Sequence, residues 1–150
     1  GFMQWLKNKA DSGNEPLSTE LFEKLDQQGW HHNPDQLASL KPSVMGLCAR
    51  YLFQSERSDG SPNDPVARFH LENGASLERV NWLGDVSERG LEQGAGLMIN
   101  YRYDLSRLEQ NHELYAASKE VLASPSVKAI LREIPRSRQS LKFPVPEEYH

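Results

Sequence analysis

The sequence predicts an α+β fold, and three observations carry that reading. Apolar residues recur at helical spacing, most clearly Val44, Leu47, Cys48, Tyr51 and Leu52, which fall on one helix face. The period changes to two in residues 66–71 and again in 76–83, with Asn73-Gly74 between the two runs. Residues 97–103 alternate as well, which places Leu97, Ile99, Tyr101 and Tyr103 on one face of a strand.

The helices follow from caps and breakers. Residues 7–16 are polar and turn-forming. Ser18 or Thr19 caps a helix that uses Leu21, Phe22 and Leu25, with Leu17 placed as a hydrophobic staple, and Gly29 stops it. Asn33-Pro34 supplies a cap and a first-turn proline for a short helix through Leu40. Pro42 interrupts that helix and starts a second one. Residues 55–64 form a polar loop.

In the middle of the chain, Asn-Gly between alternating runs predicts a β-hairpin, because both central residues of the turn need positive φ. With that register His70 faces Leu77 and Arg68 faces Arg79. Arg68, His70, Arg79 and Asn81 then share a polar face, while Ala67, Phe69, Leu71, Val80 and Trp82 face the core. Residues 85–94 read as a loop and a short helix, broken by Gly94-Ala95-Gly96. Ser106 starts a helix through Lys119 that uses Leu108 and Leu114 or Tyr115. A last helix over about residues 126–134 groups Val127, Ile130, Leu131 and Ile134. Pro135, Pro144 and Pro146 make residues 135–150 an extended tail, so the domain is read as 1–134.

Composition narrows the functional classes. The 150 residues amount to one domain or a piece of a larger one, and 37% hydrophobic with 9% aromatic content suffices for a core. A net charge of −4 argues against a nucleic-acid partner. No apolar run approaches the roughly 20 residues of a membrane span. A single cysteine, Cys48, excludes an internal disulfide and a cysteine-built zinc site, and fits a reducing, cytoplasmic compartment. The opening Gly1-Phe2-Met3-Gln4-Trp5-Leu6 is unlike a signal peptide and reads as the interior of a longer chain. The closing Glu148-Tyr149-His150 is not a peroxisomal signal.

Among chemistry-bearing residues, His70 leads: it sits on a polar face beside a tight turn, where a half-exposed histidine without a role is the plainer alternative. Arg68 opposite Arg79 is unfavourable unless an anion lies between them; splaying into solvent is the alternative. His31 and His32 are adjacent, so they diverge and form no metal site. Gly94-Ala95-Gly96 is explained by a helix-to-strand turn. Arg132, Arg136, Arg138 and Lys142 read as a solvated face. No Ser-His-Asp order, phosphate-binding loop or paired-carboxylate spacing stands out.

The run Asp64-Pro65-Val66-Ala67-Arg68-Phe69-His70-Leu71-Glu72-Asn73-Gly74-Ala75 resembles the signature of the malonyl-CoA decarboxylase family. The resemblance continues through residues 77–85, Gly90-Leu91, residues 96–103 and Asn111-His112-Glu113, and Gly1-Phe2 with Trp5-Leu6 resembles the segment after the family's catalytic serine. It extends from Gly1 to about Leu131. It implies the carboxyl-terminal part of an acetyltransferase-like (GNAT) α+β domain, with short antiparallel strands and flanking helices. It also implies that His70 is the catalytic histidine, and that the serine and the main CoA-phosphate loop lie upstream of Gly1.

The implied chemistry needs no metal or other cofactor. As a malonyl thioester loses CO2, its thioester carbonyl takes up the electrons as an enolate, which must be stabilised and protonated at carbon. Histidine, with an ordinary pKa of about 6.5, delivers such a proton near neutral pH. The expected site is therefore His70 as proton donor, with Asn81, Tyr101, Tyr103 and Arg68 binding substrate. The expected partners are malonyl-CoA and acetyl-CoA and the upstream remainder of the catalytic domain, with no nucleic acid and no membrane; self-association into a homo-oligomer stays open. Two other readings stay open too: an acyl-CoA transferase of the same fold, and a non-catalytic interaction module.

Overall fold

A computed structural model describes residues 1–132. The elements run α1 (Phe2–Ser12), α2 (Pro16–Leu25), a 3-10 turn (Trp30–His32), α3 (Pro34–Phe53), α4 (Pro65–Glu72), β1 (Ser76–Asn81), α5 (Glu88–Gly94), β2 (Met98–Arg102), a second 3-10 turn (Leu105–Arg107), α6 (Leu108–Ser118) and α7 (Pro125–Leu131). The α+β class holds, with helices flanking a short antiparallel sheet. Ile134 and the predicted tail, 135–150, lie outside the described residues.

The helical side of the fold packs around Leu6, Leu21, Leu40, Val44 and Leu47, all essentially enclosed. Most of the segment expected to be turn-forming is the body of α1, because Phe2, Met3, Trp5 and Leu6 supply a buried face and Gly13 closes the helix at φ 73°. α2 begins three or four residues earlier than expected. Glu15 is its N-cap and Pro16 its first residue, while Ser18 is buried and donates to Glu15 Oε1 at 2.8 Å. Asn33 caps α3 as expected, accepting from the N–H groups of Asp35 and Gln36. Pro42 does not divide α3. The carbonyl left without a helical donor is that of Ala38, and both residues are exposed. The buried stripe Val44, Leu47, Cys48, Tyr51 and Leu52 is as the spacing required.

The predicted hairpin over residues 66–83 is absent. Residues 65–72 form α4, whose first turn is closed by Asp64 accepting from Ala67 N–H at 2.9 Å. Asp-Pro is here a helix cap followed by a first-turn proline. Asn73-Gly74 is the helix exit, with Gly74 at φ 91°. Glycine is required there twice over: a Cβ would also lie 2.5 Å from the Leu108 carbonyl oxygen. The opposition of Arg68 and Arg79 therefore does not exist; Arg79 pairs with Asn100. The polar-face argument for His70 falls with the hairpin, and Phe69, assigned to the core face, points outward.

The sheet is β1 against β2, antiparallel, with Leu77 opposite Tyr101, Val80 opposite Ile99 and a bulge between Leu77 and Arg79. Leu77 is fully buried and also bonds the segment leading to α7: its N–H donates to Leu122 O at 2.8 Å, and Ser124 N–H donates to Leu77 O at 2.9 Å. Ser124 then caps α7. α5 follows the loop after β1, and Ala95 ends it at φ 53°. The helix predicted from Ser106 begins with a 3-10 turn capped by Asp104, and α6 proper starts at Leu108. Its buried aromatic is Tyr115; Leu114 is exposed.

Candidate active site

α4 is eight residues long, too short to be stable alone, so its seating depends on what grips it. Its exit is held by α6: Asn111 Nδ2 donates to Gly74 O at 3.1 Å, and His112 Nδ1 donates to the Glu72 carbonyl. Its entrance is held by Asp64. Between the two, Ala67 and Leu71 face the interior. Val66, Phe69 and His70, spaced i, i+3 and i+4, form the outward stripe.

His70 leaves that stripe toward β2. Its Nδ1 lies 2.6 Å from the Tyr103 hydroxyl. Its ring stacks on Tyr101 with centroids 4.1 Å apart and planes at 23°, and Phe69 meets its other neighbourhood edge-on at 5.2 Å. The imidazole is thus fixed in orientation by a stack and at one nitrogen by a phenol, leaving Nε2 for chemistry. Tyr101 lies in β2 and Tyr103 just past its end, two residues on, and both side chains reach the same imidazole.

Tyr101 is unusual in a second respect. Its hydroxyl is buried and finds no hydrogen-bond partner among the described residues. Burial, and then the nearby charge of Asp64, push its ionisation well above the ordinary phenol range. The same two causes raise Tyr51, and they push the Cys48 thiol up to about 12, so Cys48 is an inert core residue.

The other expected site residues are not gathered at His70. Arg68 turns back along the chain, its Nη1 donating to Pro62 O at 2.9 Å and Asn63 O at 3.1 Å. Asn81 sits at the far end of β1, about 13 Å along the strand from the Leu77–Tyr101 pair. Its Nδ2 donates to Asn100 Oδ1 at 2.6 Å and to Met98 O at 3.2 Å. His31 and His32 do not diverge: they share the 3-10 turn, with ring centroids 4.0 Å apart. No cluster of three or more metal-ligating side chains occurs among the described residues.

Sequence reasoning missed Asp64 and Phe69 as parts of this region. The signal for Asp64 was Asp-Pro ahead of a residue pair, Ala67 and Leu71, at i and i+4. Beside His70 on α4, Val66 is 55% exposed and Phe69 59%; Leu105, in the 3-10 turn that follows β2, is 83% exposed.

Comparison with known proteins places the chain in a family. Residues 1–141 match the family model for the malonyl-CoA decarboxylase C-terminal domain. The goose (Anser anser anser) mitochondrial malonyl-CoA decarboxylase is 40% identical over 114 residues, 75% of this chain and 22% of the goose protein. The rat (Rattus norvegicus) mitochondrial enzyme is 35% identical over 127 residues, 85% of this chain and 26% of the rat protein. Among solved structures, the malonyl-CoA decarboxylase of Rhodopseudomonas palustris superimposes with a TM-score of 0.80 at 40% identity, covering 87% of this chain and 31% of that one. That of Agrobacterium vitis gives 0.79 at 40% identity, covering 87% and 33%. The chain thus spans about a quarter of the curated relatives' length and about a third of the solved chains.

Proposed function

Because the chain belongs to the malonyl-CoA decarboxylase family, we propose that it is the carboxyl-terminal part of a GNAT-like catalytic domain that converts malonyl-CoA to acetyl-CoA and CO2. The observation that carries this reading is the held imidazole: His70 stacked on Tyr101 and bonded at Nδ1 by Tyr103. Decarboxylation breaks the bond between the carboxylate and the α-carbon. The electron pair passes to the thioester carbonyl as an enolate, and a proton must then reach that carbon. The Tyr103 hydroxyl donates to Nδ1 of a neutral ring and accepts from it in an imidazolium. Only the imidazolium is acid enough to deliver that proton: Nε2–H passes to the enolate carbon, while Nδ1–H stays donated to the Tyr103 oxygen and a neutral ring is left. The substrate is its own electron sink.

Tyr101 and Tyr103 shape the site beside His70. Arg68 serves it by holding the loop that leads into α4, and Asn81 contributes from the distal end of the sheet. The upstream remainder of the catalytic domain covers Val66 and Phe69 of α4 and brings the serine and the CoA-phosphate loop, so residues 1–150 by themselves do not turn over. No helix among the described residues is long and apolar enough to cross a membrane. The cytoplasmic, reducing assignment rests on the single cysteine, whereas the goose and rat relatives are named as mitochondrial.

The test is His70→Ala in the full-length protein, with CO2 release from malonyl-CoA and acyl transfer to an amine followed side by side. Decarboxylation should fall by roughly 10²–10⁴-fold while the fold persists. Acyl transfer without CO2 release would replace this reading with the transferase one. A loss under about threefold in a folded variant removes His70 from the chemistry.

A further inference from the structure

Asp64 uses both of its carboxylate oxygens, and for different parts of the fold. Oδ2 accepts from Ala67 N–H at 2.9 Å and caps α4. Oδ1 accepts from the Tyr51 hydroxyl at 2.8 Å. Tyr51 is 4% exposed, and its ring packs at 5.8 Å from Phe2 and 5.3 Å from Trp5, so it is anchored in the aromatic core between α1 and α3. The residue before Asp64 is tied to the same place: Asn63 Nδ2 donates to Tyr51 O at 3.2 Å and to Gln54 O at 2.7 Å.

Capping alone does not require this carboxylate. Ser or Asn caps a helix about as well with one oxygen. A second oxygen is needed only for a second bond, and here that bond crosses from α4 to the core. His70 lies six residues further on, about 9 Å along the helix axis, where it must meet Tyr101 and Tyr103 in register. A shift of the helix by about 1 Å is enough to misplace a reacting group by up to 10²-fold in rate.

We infer that Asp64 is a positioning residue, which fixes the placement of His70 by tying the entrance of its helix to the Tyr51 hydroxyl. The inference rests on the reading of His70 as proton donor, and its test separates the two. In the full-length protein, Tyr51→Phe keeps the packed ring and removes only the donor. Asp64→Ser keeps the cap and is too short to reach Tyr51. Asp64→Asn keeps both contacts, with its oxygen on Ala67 N–H and its amide on the Tyr51 oxygen.

Tyr51→Phe and Asp64→Ser should each lower kcat by about 5- to 30-fold with KM within about twofold. The double variant should be no worse than the larger single one, because both remove the same bond. Asp64→Asn should keep more than half of kcat. A crystal structure of Tyr51→Phe supplies a readout free of the reaction: the 2.6 Å contact between His70 Nδ1 and the Tyr103 hydroxyl should open beyond hydrogen-bond distance. Unchanged kcat together with an unchanged His70 in Tyr51→Phe overturns the inference, as does a lowered melting temperature with kcat per folded molecule intact. A displaced His70 with full decarboxylation supports the tie and overturns the role of His70. Should Asp64→Ser fail to fold, Tyr51→Phe decides the matter alone.

Discussion

Between α1 and α3, Leu6, Leu21, Val44 and Leu47 are wholly enclosed, whereas on α4, beside the histidine that meets Tyr101 of β2, Val66 and Phe69 stand in solvent. The helical region pairs its half-buried carboxylate, although Trp5 Nε1 and His31 Nδ1 are buried there without a partner among the described residues. Glu15 accepts from Ser18 within α2 and from Arg50 of α3 at 2.8 Å each. The α4–β2 face leaves a buried phenol unpaired and orients a histidine that nothing in the core requires. The aliphatic core is enclosed, whereas α4 carries exposed apolar side chains beside an oriented histidine.

The contrast breaks most strongly at Leu47. Leu47→Ala removes three carbon atoms from a site with no exposure, and should cost about 2–5 kcal/mol in unfolding by denaturant. Phe69→Ala, despite losing a larger side chain, should cost within about 0.5 kcal/mol in the isolated chain. Equal losses at the two positions would mean that the α4 face is already packed.

Gly74→Val comes next. The added Cβ meets the Leu108 carbonyl at 2.5 Å and a β-branched residue is forced to positive φ, so on the order of 1–3 kcal/mol should be lost. Because Gly74 O also anchors Asn111, the exit of α4 should loosen, and decarboxylation by the full-length protein should fall further than stability alone explains. Activity that tracks the folded fraction would show that this end of α4 does not govern His70.

A smaller effect belongs to the closed region and to pH. Burial alone would raise the Glu15 carboxyl, but hydrogen bonds from Arg50 and Ser18 and the charges of Arg50 and Lys9 outweigh it and hold the group below its ordinary 4.5. A folded-state value below the unfolded one means that the unfolded chain binds more protons in this range. The stabilisation is therefore full above about pH 5 and lost as pH falls through the folded value. Glu15→Gln should flatten the melting temperature between about pH 5 and 3 and leave the site's response unchanged. An unaltered slope would remove Glu15 from the acid sensitivity.

The same division governs what the sequence disclosed. α3 presents its apolar face over twenty residues, long enough for one period to win, and Pro42 misled only because its outward orientation was not visible. In α4 the evidence is eight residues long. Ala67, Phe69 and Leu71 fit a strand; Ala67 and Leu71 with Asp-Pro ahead fit a helix. Asn73-Gly74 behind that alternation tipped the balance toward a hairpin, and the hairpin assigned Phe69 to the core. Both features belong to a helix instead: Asn73-Gly74 is its exit, and Phe69 lies on its outward stripe. His70 was found through a hairpin that does not exist, and through a resemblance independent of it. Tyr101 and Tyr103 were legible because alternation over residues 97–103 places both on one face, while their contact with α4 depends on packing that no local pattern encodes.

The finest test of the contrast lies in Tyr101, which belongs to both regions. Its ring supports His70, and its hydroxyl is enclosed without a partner. An unpaired buried hydroxyl costs about 1–3 kcal/mol, whereas removing it leaves a ring of the same shape. Tyr101→Phe should therefore raise the melting temperature, by an amount set by about 1 kcal/mol, and keep the stack. Tyr101→Leu should lower both stability and kcat, because the platform beneath the imidazole is gone. The pair separates the two uses of one side chain: the ring serves the site, and the hydroxyl is a strain the fold tolerates. A lower melting temperature for Tyr101→Phe would show that the hydroxyl is bonded in the whole protein, and would move Tyr101 from the open face into the closed one.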